Sequence, residues 1–334
     1  MMVLYGCGRD RVVYKWNERV LAAGELQDEG KLDEAEARYR KLLESSPDAD
    51  ARRHVLNELG AIAEERGDWK RALALYKKVW TEEIDDEAGG HALYHAATIV
   101  DEELGQTERG LAMKRKVAKR YPKSVSAEFA ARDLVGHYEA KGDFDAMRAA
   151  VDALYEDVAD TPVADNILFA AGESLEVEAK DEDAALPYYR KVYDTYPEGG
   201  LADDALWQAA MIYHRRQQWA PAIRLLTRLA DNVETSWFVG SYNSPWANDA
   251  RFELGLIHLM YLDDYDAALA HFERYLEDFP TSLQLDDAGW HIVHLYRLMG
   301  DQERYREALG EFIERYPESR YVRDARELLE GDGQ

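Results

Sequence analysis

YPKSVSAEFAARDL, residues 121–134, returns as YPEGGLADDALWQA at 196–209, FPTSLQLDDAGWHI at 279–292 and YPESRYVRDARELL at 316–329. In each copy an aromatic residue precedes a proline, and alanine follows that proline by eight residues, at Ala130, Ala205, Ala288 and Ala325. Pro162 to Ala170 repeats the interval, and SSPDADARRHVLNELG from Ser45 is a weaker copy. Counting back seventeen residues from Pro47, Pro122 and Pro317 lands on Gly30, Gly105 and Gly300. Glycine accepts the left-handed backbone that ends a helix, and proline cannot continue one. Together they punctuate a hairpin: helix, glycine turn, second helix, proline loop.

The residues between these marks have helical spacing. In GDWKRALALYKKVW, residues 67–80, Ala72, Leu75, Tyr76 and Val79 fall at i, i+3, i+4 and i+7, an apolar stripe opposite a charged face. The alternation of a strand is absent. Pro221 suits a helix's first turn, whereas Pro187 lies deeper and is expected to delay the start of its helix. Proline-to-proline intervals of 40 (Pro122–Pro162), 35 (Pro162–Pro197) and 37 (Pro280–Pro317) match a helix-turn-helix repeat of ~34 residues with small insertions.

This small–large pattern resembles the tetratricopeptide repeat (TPR). The residues that carry the likeness are Ala35, Tyr39 and Pro47; Leu59, Gly60, Gly67, Ala72 and Tyr76; and Ala268, Phe272 and Pro280. Lys114 stands where an aromatic is expected, Tyr305 stands for an alanine, and the fourth repeat is poorly marked. The resemblance implies an all-α fold, a right-handed α-solenoid of about eight TPR-like hairpins with a C-terminal capping helix. Its expected divisions are a tether at 1–12, repeats one to six at 13–229, an aromatic-rich insertion at 230–248, repeats seven and eight at 249–318, and a capping helix with tail at 319–334.

Composition bounds the function. The 334 residues hold 41 Lys and Arg against 66 Asp and Glu, a net charge of −25, and 46% are hydrophobic. Such a chain can bury a core. Its acidity disfavours nucleic acid and anionic lipid, the sequence showing no basic cluster, and favours partners with a basic surface. No stretch approaches the ~20 apolar residues that span a bilayer. The single cysteine, Cys7, excludes an intramolecular disulfide framework and a thiolate-rich metal site.

Stacked TPR hairpins present their first helices to a groove that binds a protein or peptide. The resemblance carries the groove positions onto Asn57, His95, Arg132, Trp207, His214, Trp290, His294 and Arg297, and Arg215 follows His214. Trp207 and Trp290 each stand ten residues after a proline, so they occupy equivalent positions. Aromatic and arginine side chains are the usual anchors of such a site, though tryptophan equally fills cores between repeats. Trp237, Phe238, Tyr242 and Trp246 give the insertion an unusual aromatic content, to meet a partner or to fold back over an apolar edge.

Chemistry has little support. His91 with His95 and His291 with His294 have chelating spacing, but neither pair has the glutamate of HExxH or a third ligand, so no metal is expected. No nucleophile elbow or phosphate loop appears, and no catalytic residue or cofactor is assigned. Leu4-Tyr5-Gly6-Cys7 resembles the end of a bacterial lipoprotein signal, with Cys7 as the lipidated residue. With the YPxS-type junctions and the closing YPESRYVRDARELLE, it resembles envelope TPR proteins, such as the lipoprotein of the outer-membrane β-barrel assembly machine and the Tol-Pal-associated protein. This implies a lipid-anchored scaffold on the periplasmic face of the outer membrane, its membrane link made through that anchor alone. The alternatives are a cytosolic TPR adaptor, or a hydrolase or metal enzyme hidden in 230–248.

Overall fold

Among the described residues eight take a left-handed φ: Gly30, Gly67, Gly105, Gly142, Lys180, Gln217, Asp263 and Gly300, at intervals of 37, 38, 37, 38, 37, 46 and 37. The computed structural model describes residues 6–81, 87–231 and 246–331, with side chains from residue 15 onward. Each left-handed residue joins two helices. α1 (Gly6–Asp28) and α2 (Leu32–Glu44) flank Gly30; α3 (Ala49–Glu65) and α4 (Trp69–Trp80) flank Gly67; α5 (Glu87–Thr98) and α6 (Thr107–Arg120) flank Gly105. α7 (Val125–Glu139) and α8 (Phe144–Val158) flank Gly142; α9 (Val163–Val177) and α10 (Glu182–Thr195) flank Lys180; α11 (Ala202–Arg215) and α12 (Trp219–Ala230) flank Gln217. α13 (Ala247–Met260) and α14 (Tyr265–Asp278) flank Asp263, α15 (Leu285–Leu298) and α16 (Gln302–Arg315) flank Gly300, and α17 (Val322–Gly331) closes the array. This is the expected all-α solenoid architecture of eight hairpins and a terminal helix.

The turns set the register because their hydrogen bonds are local. Gly67 N–H donates to Glu64 O (2.7 Å) and Asp68 N–H to Ala63 O (2.8 Å), the Schellman closure, and Gly30 and Gln217 repeat it. In five hairpins the next residue is an aspartate whose carboxylate caps the second helix: Asp68, Asp143, Asp181, Asp264 and Asp301. One residue therefore ends a helix and its neighbour starts the next. Five residues past the turn stand Ala35, Ala72, Gly110, Met147, Ala185, Ala222, Ala268 and Tyr305, all buried. Nine past it stand Tyr39, Tyr76, Lys114, Val151, Tyr189, Leu226, Phe272 and Leu309, also buried. In six hairpins the first of the pair is alanine or glycine, which admits the facing helix while the larger residue fills the space behind it; Met147 with Val151 and Tyr305 with Leu309 reverse the sizes.

Three sequence expectations change. α10 runs through Pro187 rather than starting after it: Asp181 caps Ala184 (3.0 Å), the first turn is complete, and only the proline's own missing N–H is forfeited. Ala170 is half-buried whereas Ile167, Leu168 and Ala171 form the core stripe of α9, so the Pro162 interval does not carry the register. Pro162 itself is the N-cap residue of α9. The segment read as a tether is helical from Gly6, although its side chains lie outside those described.

The 38-residue interval from Gly67 to Gly105 contains an irregular turn. α5 continues into a π turn, Ile99–Glu103, which absorbs one extra residue. That turn brings Asp101 onto α6, where a Cβ on Gly110 would come within 2.5 Å of Asp101 Cβ. The 46-residue interval contains residues 232–245, which lie outside the described set.

The chain divides into two compact units, Met1–Ala185 and Leu186–Gln334, the division falling within α10. In the N-terminal unit α3 meets α5, α5 meets α7 and α7 meets α9, so successive first helices share one side. In the C-terminal unit each helix from α11 to α17 packs on the next. No described helix is long and apolar enough to cross a membrane.

Candidate partner-binding faces

On the first-helix side of the N-terminal unit, α5 and α7 display a ladder of rings. His91 and His95, one helical turn apart, stand with ring centroids 4.2 Å apart; Tyr94 meets His95 edge-on at 6.0 Å, and Phe129 of α7 continues at 6.0 Å from Tyr94. Carboxylates edge the ladder. Glu64 Oε2 accepts from Tyr76 OH (2.9 Å) and lies 3.0 Å from His95 Nδ1, while Asp133 accepts from Tyr94 OH (3.1 Å). Burial pushes His91 down to about 4, with the neighbouring His95 adding to the effect, so its ring is neutral near pH 7. Burial also pushes the Tyr94 hydroxyl up to about 12.

The ladder opens outward on α7. Val125 and Phe129 are 53% and 50% exposed, and Arg132, one turn further, is also exposed. This i, i+4, i+7 stripe projects apolar surface and a cation from a helix whose other side is core.

Beneath it lies Lys114, 4% exposed at the side chain, with Nζ 3.1 Å from Asp101 and 2.9 Å from Asp133. Burial opposes its charge, but hydrogen bonds and Coulombic attraction from Asp133 and Asp101 prevail and raise its pKa. A cation replaces the aromatic at this core position because the π turn and α7 supply two anions to it.

The C-terminal unit contains a device used twice. Trp246, just before α13, stacks on Trp207 of α11 at 4.9 Å and 8°, and its Nε1–H donates to Asp204 Oδ1 (2.6 Å). Tyr321, just before α17, stacks on Trp290 of α15 at 5.1 Å and 10°, and its OH donates to Asp287 Oδ1 (2.7 Å). In both, the aromatic preceding the next first helix covers a tryptophan and hands its polar atom to the aspartate three residues earlier. The signal was readable: DDALW at 203–207 and DDAGW at 286–290 share the pattern DDAxW. Neither Asp204 nor Asp287 was singled out by the sequence reading.

These clasps revise the groove. Trp290 is 9% exposed within the cluster of Tyr305, Leu309 and Phe312, so it is a core residue, not a groove residue. Trp207 is half-buried and covered on one face, which makes Trp246 a residue folded back onto the array. Asn57 is also buried, its Nδ2 donating to Ala88 O (3.0 Å) and tying α3 to α5. Trp237, Phe238 and Tyr242 lie outside the described residues, as does the side chain of Cys7.

Other predicted residues do reach open faces. His95 and Arg132 belong to the ladder and stripe above. His214 Nε2 lies 3.1 Å from Glu253 Oε1, and its ring meets Trp219 (5.3 Å) and Tyr261 (5.7 Å), which stack on each other at 4.3 Å. Burial pushes the Glu253 carboxyl up, and its neighbour His214 opposes that shift. Beside this cluster Met260, Tyr261 and Leu262 are exposed. Arg215 and Arg297 are exposed, and His294 meets Trp290 edge-on at 4.7 Å. His291 stacks on Phe272 at 4.9 Å, so the two histidines of that pair serve different ring contacts. Among the described residues no group of three or more His, Cys, Asp or Glu could hold a metal ion.

Tetratricopeptide repeat family models match residues 21–82 and 133–200, and residues 204–236, 249–282 and 287–319. The chain belongs to the tetratricopeptide repeat family. The longest unmatched internal stretch, 83–132, is where this TPR chain carries its π turn and Lys114. Among solved structures it is similar to a TPR protein from Parabacteroides merdae (16% identity, 85% of this chain and 98% of that one, TM-score 0.35). It is also similar to the human IFIT1 dimer with m7Gppp-AAAA (15%, 90% and 66%, 0.41), and to PilW, a type IV pilus biogenesis factor (13%, 81% and 97%, 0.35). A search of the curated proteins gave no match.

Proposed function

We propose that this TPR protein is a non-catalytic scaffold of the cell envelope, tethered through Cys7 at the periplasmic face of the outer membrane. It holds a partner segment bearing apolar and basic side chains against the α5–α7 face. The observation that carries the binding reading is the exposed Val125–Phe129 stripe, continuous with the Tyr94–His95 ladder and edged by Glu64 and Asp133. Half-exposed aromatic surface gains about 1–2 kcal/mol when a partner covers it. The net charge of −25 favours a partner with basic side chains. The envelope reading rests on the Leu4-Tyr5-Gly6-Cys7 sequence and the YPxS-type junctions.

Photocrosslinking in the native host tests the face. A benzophenone side chain at Phe129 should capture a discrete protein that one at Lys77, exposed on α4, does not. Val125→Ser with Phe129→Ser should then weaken binding of the purified partner by about tenfold. Equal capture from both positions, or unchanged affinity, would sink the assignment. Fractionation of the native-locus protein beside Cys7→Ser tests the tether. Recovery with the outer membrane should be lost in the variant, and a soluble protein in both cases removes the envelope reading while leaving the face standing.

A further inference from the structure

The N-terminal end of the array carries a pocket whose charge opposes that of the molecule. A cavity of about 320 Å³ opens between α1 and α2, lined by Arg19, Ala22, Arg38, Lys41, Leu42 and Ser45. Among the described residues, every charged one lining it is basic. Arg38 Nη1–H donates to Ala22 O (3.2 Å), which holds the guanidinium at the rim, and the indole of Trp16 donates to Leu42 O (3.4 Å) below the floor. Arg19, Arg38 and Lys41 are exposed, and no carboxylate of the described residues pairs with them within ion-pairing distance.

The repeat register shows what these positions do elsewhere. Thirty-seven residues separate Gly30 from Gly67, so Arg19, Ala22 and Arg38 correspond to Leu56, Leu59 and Leu75 of the second hairpin. Leu56 and Leu59 are each 3% exposed, and Leu75 packs against the core of the first hairpin. In the second hairpin these positions are leucines packed into the core, whereas in the first Arg19 and Arg38 are exposed; Lys41 corresponds to Lys78, which is exposed as well. Acidic residues outnumber basic ones 66 to 41 in this chain, so a group of exposed cations here runs against its composition. A concave face with a cationic rim over apolar Ala22 and Leu42 has the chemistry of a receptor for an anion with an apolar body, at the small end of ligand pockets.

We propose that this pocket binds a phosphate ester bearing a short apolar chain, its phosphate among Arg19, Arg38 and Lys41 and its chain on Ala22 and Leu42. The inference is independent of the α5–α7 face and of any anchor at Cys7. The phosphate can belong to a soluble phosphoester or to a lipid headgroup, and the test separates them. Octyl phosphate titrated into the full chain at low salt should bind at least about tenfold tighter than octyl glucoside, which has the tail without the charge, or inorganic phosphate, which has the charge without the tail. R19E with K41E should lower that affinity by about tenfold or more while leaving the circular dichroism spectrum and melting temperature unchanged, since both side chains are exposed. Arg38→Gln is the second variant and should weaken binding in the same direction. Octyl glucoside binding as tightly as octyl phosphate, or R19E with K41E binding as well as the parent, overturns the proposal. Sedimentation with phosphatidylcholine vesicles containing roughly 30% phosphatidylglycerol supplies the second arm. Vesicle binding lost in R19E with K41E identifies a lipid headgroup, and octyl phosphate binding without vesicle binding identifies a soluble ligand.

Discussion

His91 shows how one side chain records its surroundings. It faces His95, His54 and Glu64, and burial, the largest influence, holds its pKa near 4, below the ordinary 6.5. The folded state therefore favours the neutral ring, and the unfolded chain takes up the proton first as pH falls. Stability from this group is intact above about pH 6.5 and is lost as the pH drops toward 4. Burial pushes His271 to about 4 as well, with the same sign. Allowing for solvent screening, each contributes about 1–2 kcal/mol of acid destabilisation. Denaturant unfolding at pH 7, 5.5 and 4.5 should show a steep decline for the parent and a shallower one for His91→Gln with His271→Gln; parallel declines would contradict it. Neither shift is legible in the sequence, because HALYH fixes only the i, i+4 spacing. The depth of His91 depends on α3 and α4 lying beside it.

At the scale of the element, the hairpin turn carries the register. Five of its left-handed positions are glycine, while Lys180, Gln217 and Asp263 take φ of 52–56° with a Cβ present. An L-residue there costs about 1–2 kcal/mol, partly offset because glycine is more disordered in the unfolded chain. Gly142→Ala should lower stability by about 1 kcal/mol, since φ is +66° although no atom lies within 4 Å of the added Cβ. Gln217→Gly should be neutral to stabilising by about 0.5 kcal/mol. Opposite signs in urea unfolding are the expected result, and equal losses would count against the turn as the origin of register. The glycine-to-proline count found three of these turns from sequence. It could not find Lys180, Gln217 or Asp263, where the backbone is forced by neighbouring hydrogen bonds and not by residue type. The DDAxW clasp was equally present in the sequence, but its meaning needs the aromatic that precedes the following helix, 39 residues away in one copy and 31 in the other.

At the scale of the whole molecule the governing quantity is charge. A chain at −25 repels itself, and salt screens that repulsion. Raising sodium chloride from about 0.05 to about 0.5 M, which shortens the Debye length from roughly 14 to roughly 4 Å, should raise the melting temperature by a few degrees and slow association with a basic partner. A melting temperature that falls with salt would show that specific ion pairs outweigh net repulsion. One such group is Glu36, buried and bonded by Arg66 and Arg71 of the next hairpin. Charge also separates the two proposed surfaces: the α5–α7 face is edged by carboxylates, whereas the α1–α2 pocket is cationic.

The sequence by itself determined the helical hairpins, about eight in number, the terminal helix, and an acidic chain with a single cysteine. Those follow from local backbone preferences, apolar periodicity and composition, which act within one repeat or sum over the chain. Only the tertiary structure decided that equivalent Trp207 and Trp290 end up half-open and enclosed, that Asn57 is buried, and that Pro187 lies within a helix. It also gathered Arg19, Arg38 and Lys41 into one pocket, where the linear sequence shows no basic cluster. Burial and charge clustering are sums over neighbours from other helices, and the same residue type at the same repeat position acquires a different role when a different element follows it.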